Sequence, residues 1–489
     1  MSGPWRKAPG KTPERRPEKA GAAFGAGSLA LLVYLATLSP TVASNDAARF
    51  QIAAPLLGLG HPTGYPTFIL LGKLFTFLPV GDVAYRVTLM VAVFGAVSVT
   101  LMVLVALELG ARTLPALGAG LLLGFTATFW SQAVFAEVYT LHAAFLLGVT
   151  YLLLLWRRTG GGGYLLAAAL LYGLSLGNNA GMVLLAPAYA VLLFWGRHRE
   201  LPARRLLGVG GSFLVGLSVY LYVPLRGFAG AWHNYGDPVN DWMDAWRLIS
   251  AARFQELMVS SPLELLESAG LFLWRFSEQA AHPAGLLLAA VLLAGGVYGI
   301  RVVLRRDPAV GLALALGAGC TLAYALSYQI ADIEVYYIPV YLFLILGSAV
   351  AAGALAGRGR LTALMLAAPL LAAGIALAVN YSVEDQSDNF ADRERAEALF
   401  ERLPEEAIVY GKVQVLPPAY LKNVEGERGD VTLRWLDGGT LDRNIADDVE
   451  SGRPVYFISD PRYNEDYLRG ASAYADPRFE GELIRLVPA

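Results

Sequence analysis

An aspartate and an arginine three residues apart, Asp46 and Arg49 in SPTVASNDAARF (39–50), lie where a long apolar run gives way to polar chain. On a helix they fall one turn apart, so they can form an ion pair or set a carboxylate beside an anion-binding guanidinium. A carboxylate held at a membrane–water boundary can act as a general base toward a hydroxyl. The competing reading is local: Asp46 caps the N-terminus of the helix AARFQIAAPLL. Close by, GHPTGYPT (60–67) packs two prolines, two glycines, His61 and Tyr65 into eight residues. Proline fixes φ and glycine permits φ > 0, so the stretch reads as a shaped bend. Such a bend returns the chain toward the membrane and brings His61 and Tyr65 to headgroup level. His61 can donate there to a phosphate or a sugar hydroxyl, and Tyr65 can anchor at the interface.

Four later stretches carry polar groups between apolar runs. WSQAVFAEVYTLH (130–142) contains Glu137 and Tyr139, and LGNNAG (176–181) contains Asn178 and Asn179. YLYVPLRGFAGAWHNYGDPVNDW (220–242) supplies Arg226, Asn234 and Asp237, and QIADIEVYYIP (329–339) supplies two acids and paired tyrosines. Each has a bland alternative, a plain turn for the amides and snorkelling for Arg226. Their convergence on one side predicts a substrate pocket, because polar groups at membrane depth are costly unless used. The five histidines are scattered at 61, 142, 198, 233 and 282, with no HExxH spacing, and no phosphate-cradling or dinucleotide glycine motif is present. Cys320 is the one cysteine, so neither an intrachain disulfide nor a cysteine metal site can form.

The elements that must position these residues are membrane helices. Of 489 residues 56% are apolar and only 16% charged, and mean hydropathy is +0.49; an average soluble chain carries about 25% charged residues. The apolar runs predict about eleven transmembrane helices, near 22–44, 84–110, 113–131, 138–156, 163–177, 180–196, 204–226, 283–303, 309–330, 336–357 and 360–380. Residues 1–21 are basic and proline-rich and read as a disordered cytoplasmic tail, too polar for a signal peptide. With that tail inside, the inner loops hold Arg112, Arg157–Arg158, RHRELPARR (197–205), RVVLRR (301–306) and GRGR (357–360), each of them basic. The positive-inside rule is met at every one. The transmembrane part, 22–380, then has a first outer loop at 45–83 and another at 227–282. The second includes an amphipathic interfacial helix within SPLELLESAGLFLWRFSEQ (261–279), suited to guiding a lipid-like substrate. Residues 381–489 alternate the helical FADRERAEALFERLP with apolar runs AIVYG, VTLRW and VYFIS, which predicts a small extracytoplasmic α/β domain.

The order of TLSPTVASND, GHPTGYPTFILLGKLF, AEVYTLH, GLSLGNN, YLYVPLR with NYGDP, and the later DQSDN and VEGERGDV resembles one membrane family. It is the family that includes the eukaryotic O-mannosyltransferase acting on plexin-type receptors, with many bacterial homologues, and it is similar to the wider GT-C glycosyltransferases. Two departures stand out. Family members read DSGE or similar where this sequence reads DAAR, so Asp46 matches the aspartate while Arg49 takes the place of an acid. Relatives often carry histidine at the position of Asn179 or Ala180.

The resemblance implies a bacterial inner-membrane enzyme of GT-C-like fold, moving a sugar, mannose in the family, from a polyprenyl-phosphate donor to a hydroxyl of a protein or glycan acceptor. It implies Asp46 as the catalytic base, and Arg49, His61, Tyr65 and Arg226 around donor phosphate and sugar. Glu137, Tyr139, Asn178, Asn179, Asn234 and Asp237 would line the substrate pocket. A monophosphate donor leaves less charge to neutralise than a pyrophosphate, so no cofactor and no obligatory metal are expected, and nothing suggests nucleic acid as a partner. The rival reading is a transporter or flippase of lipid-linked sugars. Such proteins place broken helices at the midplane and carry inverted repeats, features the sequence does not display. The sugar, the acceptor and the oligomeric state are not encoded in any motif of the chain.

Overall fold

Long apolar segments cannot leave backbone groups unpaired in lipid, so they fold as helices. The structure is a computed structural model describing residues 16–195, 202–233, 238–252, 257–258, 261–279, 284–356, 360–436, 441–460, 468–469, 471 and 475–488. Among these, eight helices are long and apolar enough to cross a membrane, and a bent pair, Thr113–Phe125 with Ala127–Val134, makes a ninth if it counts as one span. The fifth and sixth expected spans are the shorter apolar helices Gly162–Leu176 and Ala180–Phe194, so a total of eleven requires both of them to cross.

Three details differ from the sequence reading. The first helix runs Arg16–Thr37, beginning inside the stretch read as a tail and ending ahead of Pro40. Pro40 cannot donate to a helix and disfavours helical backbone at the residue before it. Second, the expected span 113–131 breaks at Thr126, whose extended backbone (ψ 141°) bends the two helices by 62°. The freed groups find side chains: Asn380 donates to the Phe125 carbonyl at 2.8 Å, and Gln279 accepts from the Thr128 amide at 3.0 Å. A break inside the membrane is tolerated where such partners exist, and nothing in the apolar run signals it. Third, Asp46 does not follow the first span directly. An extended segment intervenes, tied at Ser39 to the Val134 carbonyl, before a second helix, Asn45–Leu56.

Small residues let the helices close up. At Gly299 an added Cβ would fall 1.8 Å from the Gly347 carbonyl oxygen, so helices Ala284–Arg306 and Ile338–Leu355 pack backbone to backbone. Outward faces such as Leu207, Leu287 and Leu371 stay exposed, as lipid-facing positions should. Beyond the last span lies a five-stranded sheet, β1 (Ile408–Gly411), β2 (Thr432–Trp435), β3 (Val455–Ile458), β4 (Ala475–Glu480) and β5 (Leu483–Pro488), in the order β2-β1-β3-β5-β4. β1 runs parallel to β2 and β3, while β5 runs antiparallel to β3 and β4. The first three strands and the helix Ala391–Arg402 lie where the apolar and amphipathic runs predict them. Charged, proline-containing ADPRFE carries no strand signature, and it forms an edge strand, where a proline is tolerated.

This domain is fastened to the segment between the first two long helices. Val42, Ala48 and Ile52 share one apolar cluster with Phe400, Leu416 and Tyr420. The Ala84 amide donates to the Tyr420 hydroxyl at 2.9 Å, and Arg393 bridges Glu425 at 2.7 Å and Asp82 at 3.4 Å. Helix Asn45–Leu56 is therefore held between the sheet domain and the bundle, and that helix carries Asp46.

Candidate active site

Ser44, with extended backbone, precedes helix Asn45–Leu56 but makes no side-chain cap, and Asp46 does not supply one. Its carboxylate is engaged elsewhere. Oδ1 accepts from Arg49 Nη1 at 2.5 Å, and Oδ2 lies 3.5 Å from His61 Nε2. Arg49 is buried (7% exposed), with its guanidinium 5.0 Å from the centroid of the Trp435 ring on β2, a cation–π contact from the sheet domain. Asp46 keeps about a third of its side chain accessible (36%). The aspartate is positioned by buried neighbours and remains open to a reactant.

The bend does what its composition requires. The Gly64 amide donates to the His61 carbonyl at 2.6 Å, Gly64 has φ 87°, Tyr65 takes the left-handed φ of 47°, and Pro66 opens the helix Pro66–Phe75. His61, Tyr65 and Phe50 form an aromatic cluster with centroids 4.7–5.4 Å apart. Burial pulls the His61 imidazole below its ordinary pKa despite the nearby Asp46 carboxylate, and burial lifts the Tyr65 phenol well above its own. At neutral pH His61 is thus uncharged and can donate through one ring nitrogen.

Asp46, His61 and Tyr65 line a cavity of about 520 Å³. Tyr139, Asn179, Asp332, Tyr324, Tyr328 and Tyr336 line it too, and segment 249–251 with Met258 closes another side. Glu137 is half-buried in the turn before helix Tyr139–Thr159; burial first, then the charges of Asp46 and Asp332, hold its carboxyl well above the usual range. Acids, tyrosines, an amide and a neutral imidazole around one carboxylate can bind a polyhydroxylated molecule and take a proton from it. No group of three or more His, Cys, Asp or Glu side chains among the described residues is arranged to hold a metal ion.

Four expected site residues do not line the cavity: Arg49 is turned to Asp46 and Trp435, Glu137 sits in its turn without reaching the wall, and two more have other employment. Arg226 donates to the carbonyls of Leu57 (2.7 Å) and Leu56 (3.3 Å), so it caps the C-terminal end of helix Asn45–Leu56. A guanidinium there satisfies carbonyls and complements the helix dipole. Asn178 is fully buried and donates to the Val138 carbonyl at 3.1 Å, fixing the Glu137 turn from behind. Neither lines the cavity. Asn179 does, while its Oδ1 caps the turn 180–185 by accepting from the Gly181 amide. Asn234 and Asp237 lie outside the described residues. Asp332 and Tyr336 line the cavity too; the sequence signal for them was the doubling of acids and tyrosines in QIADIEVYYIP, a stretch counted into the pocket without either residue being singled out. Trp435 had none.

Within the amphipathic stretch 261–279 lies the helix Pro262–Ser277, with a capping box at Ser261 and Glu264. It exposes Leu263, Leu266 and Trp274 and buries Phe272 and Phe276 against Tyr337 and Tyr341.

Comparison with known proteins places this arrangement. Residues 46–202 match the model of the Protein O-mannosyl-transferase TMEM260 N-terminal domain. The mouse Protein O-mannosyl-transferase TMEM260 is 30% identical over 203 residues, 40% of this chain and 29% of the mouse protein. Its Dictyostelium discoideum namesake is 27% identical over 129 residues, 24% of this chain and 16% of that one. The matches span less than a third of the length of these curated relatives. Among solved structures, ArnT from Cupriavidus metallidurans bound to undecaprenyl phosphate superposes with a TM-score of 0.61 over 96% of this chain and 98% of that one, at 13% identity. The apo oligosaccharyltransferase of Archaeoglobus fulgidus gives 0.53 over 96% and 74%, at 14% identity. The chain shares its fold with ArnT and the oligosaccharyltransferase, a GT-C-like architecture as the resemblance implies.

Proposed function

We propose that this chain, homologous to the TMEM260 protein O-mannosyl-transferases over residues 46–202 and folded like ArnT, is an inverting glycosyltransferase of the membrane. It moves a mannosyl residue from a polyprenyl-phosphate donor to a serine or threonine hydroxyl of an acceptor protein. The observation that carries this reading is Asp46, a carboxylate fixed by Arg49 and His61 and still open to a cavity of sugar-binding character. The acceptor oxygen attacks the anomeric carbon while its proton passes to Asp46. The bond from that carbon to the phosphate oxygen breaks, and polyprenyl phosphate leaves with the electron pair. A phosphate is already a good leaving group, so no general acid is needed, and one displacement inverts the centre. His61 and Arg49 receive the phosphate charge, and Arg226 remains a helix cap. A monophosphate needs no divalent metal to neutralise it.

The reaction takes place on the outer side of a bacterial cytoplasmic membrane, with the N-terminus inside and the sheet domain outside. A reporter fused after residue 385 is expected outside and one near residue 200 inside; both on one side would sink this orientation. The activity itself is tested by incubating purified protein with radiolabelled polyprenyl-phosphate mannose and a Ser/Thr peptide. Label is expected on the peptide, with and without EDTA. Label that crosses a vesicle bilayer without covalent transfer would replace the enzyme by a transporter. Activity abolished by EDTA and restored by manganese would overturn the metal-free mechanism.

A further inference from the structure

The cavity has an annex. Tyr139, Asn179, Gly181 and Tyr336 wall both the main cavity and a smaller chamber of about 20 Å³. That volume has room for about one water-sized group. His142 and Thr321 line the chamber and not the main cavity. The Thr321 hydroxyl is already committed to the Gly317 carbonyl at 2.7 Å. His142 is different: it is 5% exposed, sits in the first turn of helix Tyr139–Thr159, and its buried Nδ1 has no hydrogen-bond partner among the described residues. A buried polar atom left unpaired costs about 1–3 kcal/mol, and an ionisable side chain inside a membrane segment marks a functional site by default. The imidazole borders the chamber, where one small polar group can hydrogen-bond to it.

We infer that the chamber is a specificity pocket for a single hydroxyl of the transferred sugar, hydrogen-bonded by His142. This rests on the glycosyltransferase reading above and adds to it the part of the cavity where the sugar is identified. A phosphate has its cationic and donor partners at Arg49 and His61. An isoprenoid tail offers nothing to an unpaired nitrogen. A sugar hydroxyl fits both the volume and the chemistry, and the tyrosines shared by the two spaces place the ring between Asp46 and His142.

The test uses the full-length protein with polyprenyl-phosphate mannose and each of its monodeoxy analogues. The parent protein is expected to penalise one analogue by about 10- to 100-fold in kcat/KM, the loss of one buried hydrogen bond, and to treat the others alike. His142→Phe fills the ring position without a donor or acceptor and should level the panel, with the full mannosyl donor falling to the rate of the penalised analogue. Gly181→Ala leaves the imidazole intact. Its added methyl lies 2.8 Å from Asn179 Oδ1 and 4.0 Å from His142 Cε1, so it narrows the chamber and should level the panel too. It carries the test should His142→Phe fail to fold. Thermal stabilisation by polyprenyl phosphate alone should be unchanged in both variants. A flat panel for an active parent protein, or discrimination that survives in both variants, overturns this inference and leaves the proposed function standing. A parent protein that transfers sugar from no donor in the panel overturns the proposed function, and this inference with it.

Discussion

The two ends of the helical bundle treat charge in opposite ways. At one end two adjacent arginines are matched and spent. Arg157 donates to the carbonyls of Leu192 and Trp195 and pairs with Asp307 at 3.4 Å, and Arg158 pairs with Glu108 at 3.1 Å. At the other end Asp46 pairs with the buried Arg49 and faces a neutral histidine, while the charges of Asp46 and Asp332 both act on Glu137 beside a cavity. Ion pairs that close on themselves hold helices together. Carboxylates that converge in excess of their partners lift the pKa of the buried one, here Glu137, and cost stability, which is how a site for proton transfer differs from a structural clasp.

That contrast can be broken by substitution, and the largest effect belongs to the cavity end. Asp46→Asn keeps size and hydrogen-bonding but removes the proton acceptor, so sugar transfer should fall about 10²–10⁴-fold. Because the buried Arg49 loses its counter-charge, Tm should drop by a few degrees while the protein stays folded. A folded variant with near-normal turnover would move the base to Glu137. His61→Ala should come next, raising KM for the polyprenyl-phosphate donor by about tenfold with a smaller change in kcat, as expected for a lost hydrogen bond to a charged group. An equal fall in kcat would instead place His61 in the chemical step.

At the clasped end the order reverses. Arg157→Ala removes an ion pair and two carbonyl caps, a loss of about 2–4 kcal/mol. It should lower Tm clearly and leave activity per folded molecule unchanged; reduced activity with unchanged Tm would contradict the structural role. The smallest effect is at Glu137. A carboxyl whose pKa is raised by folding opposes folding as pH climbs from the unfolded value, about 4.3, through the folded one. Glu137→Gln should therefore raise Tm at pH 8 and change it little at pH 4. A larger gain at pH 4 would reverse the sign and refute the burial argument.

Much of the cavity end was legible in the sequence because topology enforces it. Once basic loops assign alternate turns to one side, Asp46, His61, Tyr65, Glu137 and Asn179 must share the other, and the proline–glycine bend brings two of them onto the first. Arg226 and Asn178 lie at the same end but cap and brace backbone instead. Whether a guanidinium meets phosphate or a carbonyl depends on which helix end approaches it, and spacing does not encode that. His142 escaped for a related reason: in a helix buried nearly all round, periodicity does not show which residue borders a cavity. Trp435 comes from a domain nearly four hundred residues downstream, whose docking over Arg49 depends on Phe400, Leu416 and Tyr420 meeting Val42, Ala48 and Ile52. The break at Thr126 was equally silent, because its partners Asn380 and Gln279 are far away in sequence.

The central claim is that the cavity beside Asp46 takes the head of a lipid-phosphate sugar. The direct measurement is an experimental structure of the protein with polyprenyl-phosphate mannose. The account predicts phosphate density beside His61 and Arg49, with the anomeric carbon facing the Asp46 carboxylate and the sugar ring against Tyr139 and Tyr336. Phosphate density at Arg226, or in the groove between Ser44–Asn45 and helix Ala391–Arg402 with the cavity empty, would contradict it.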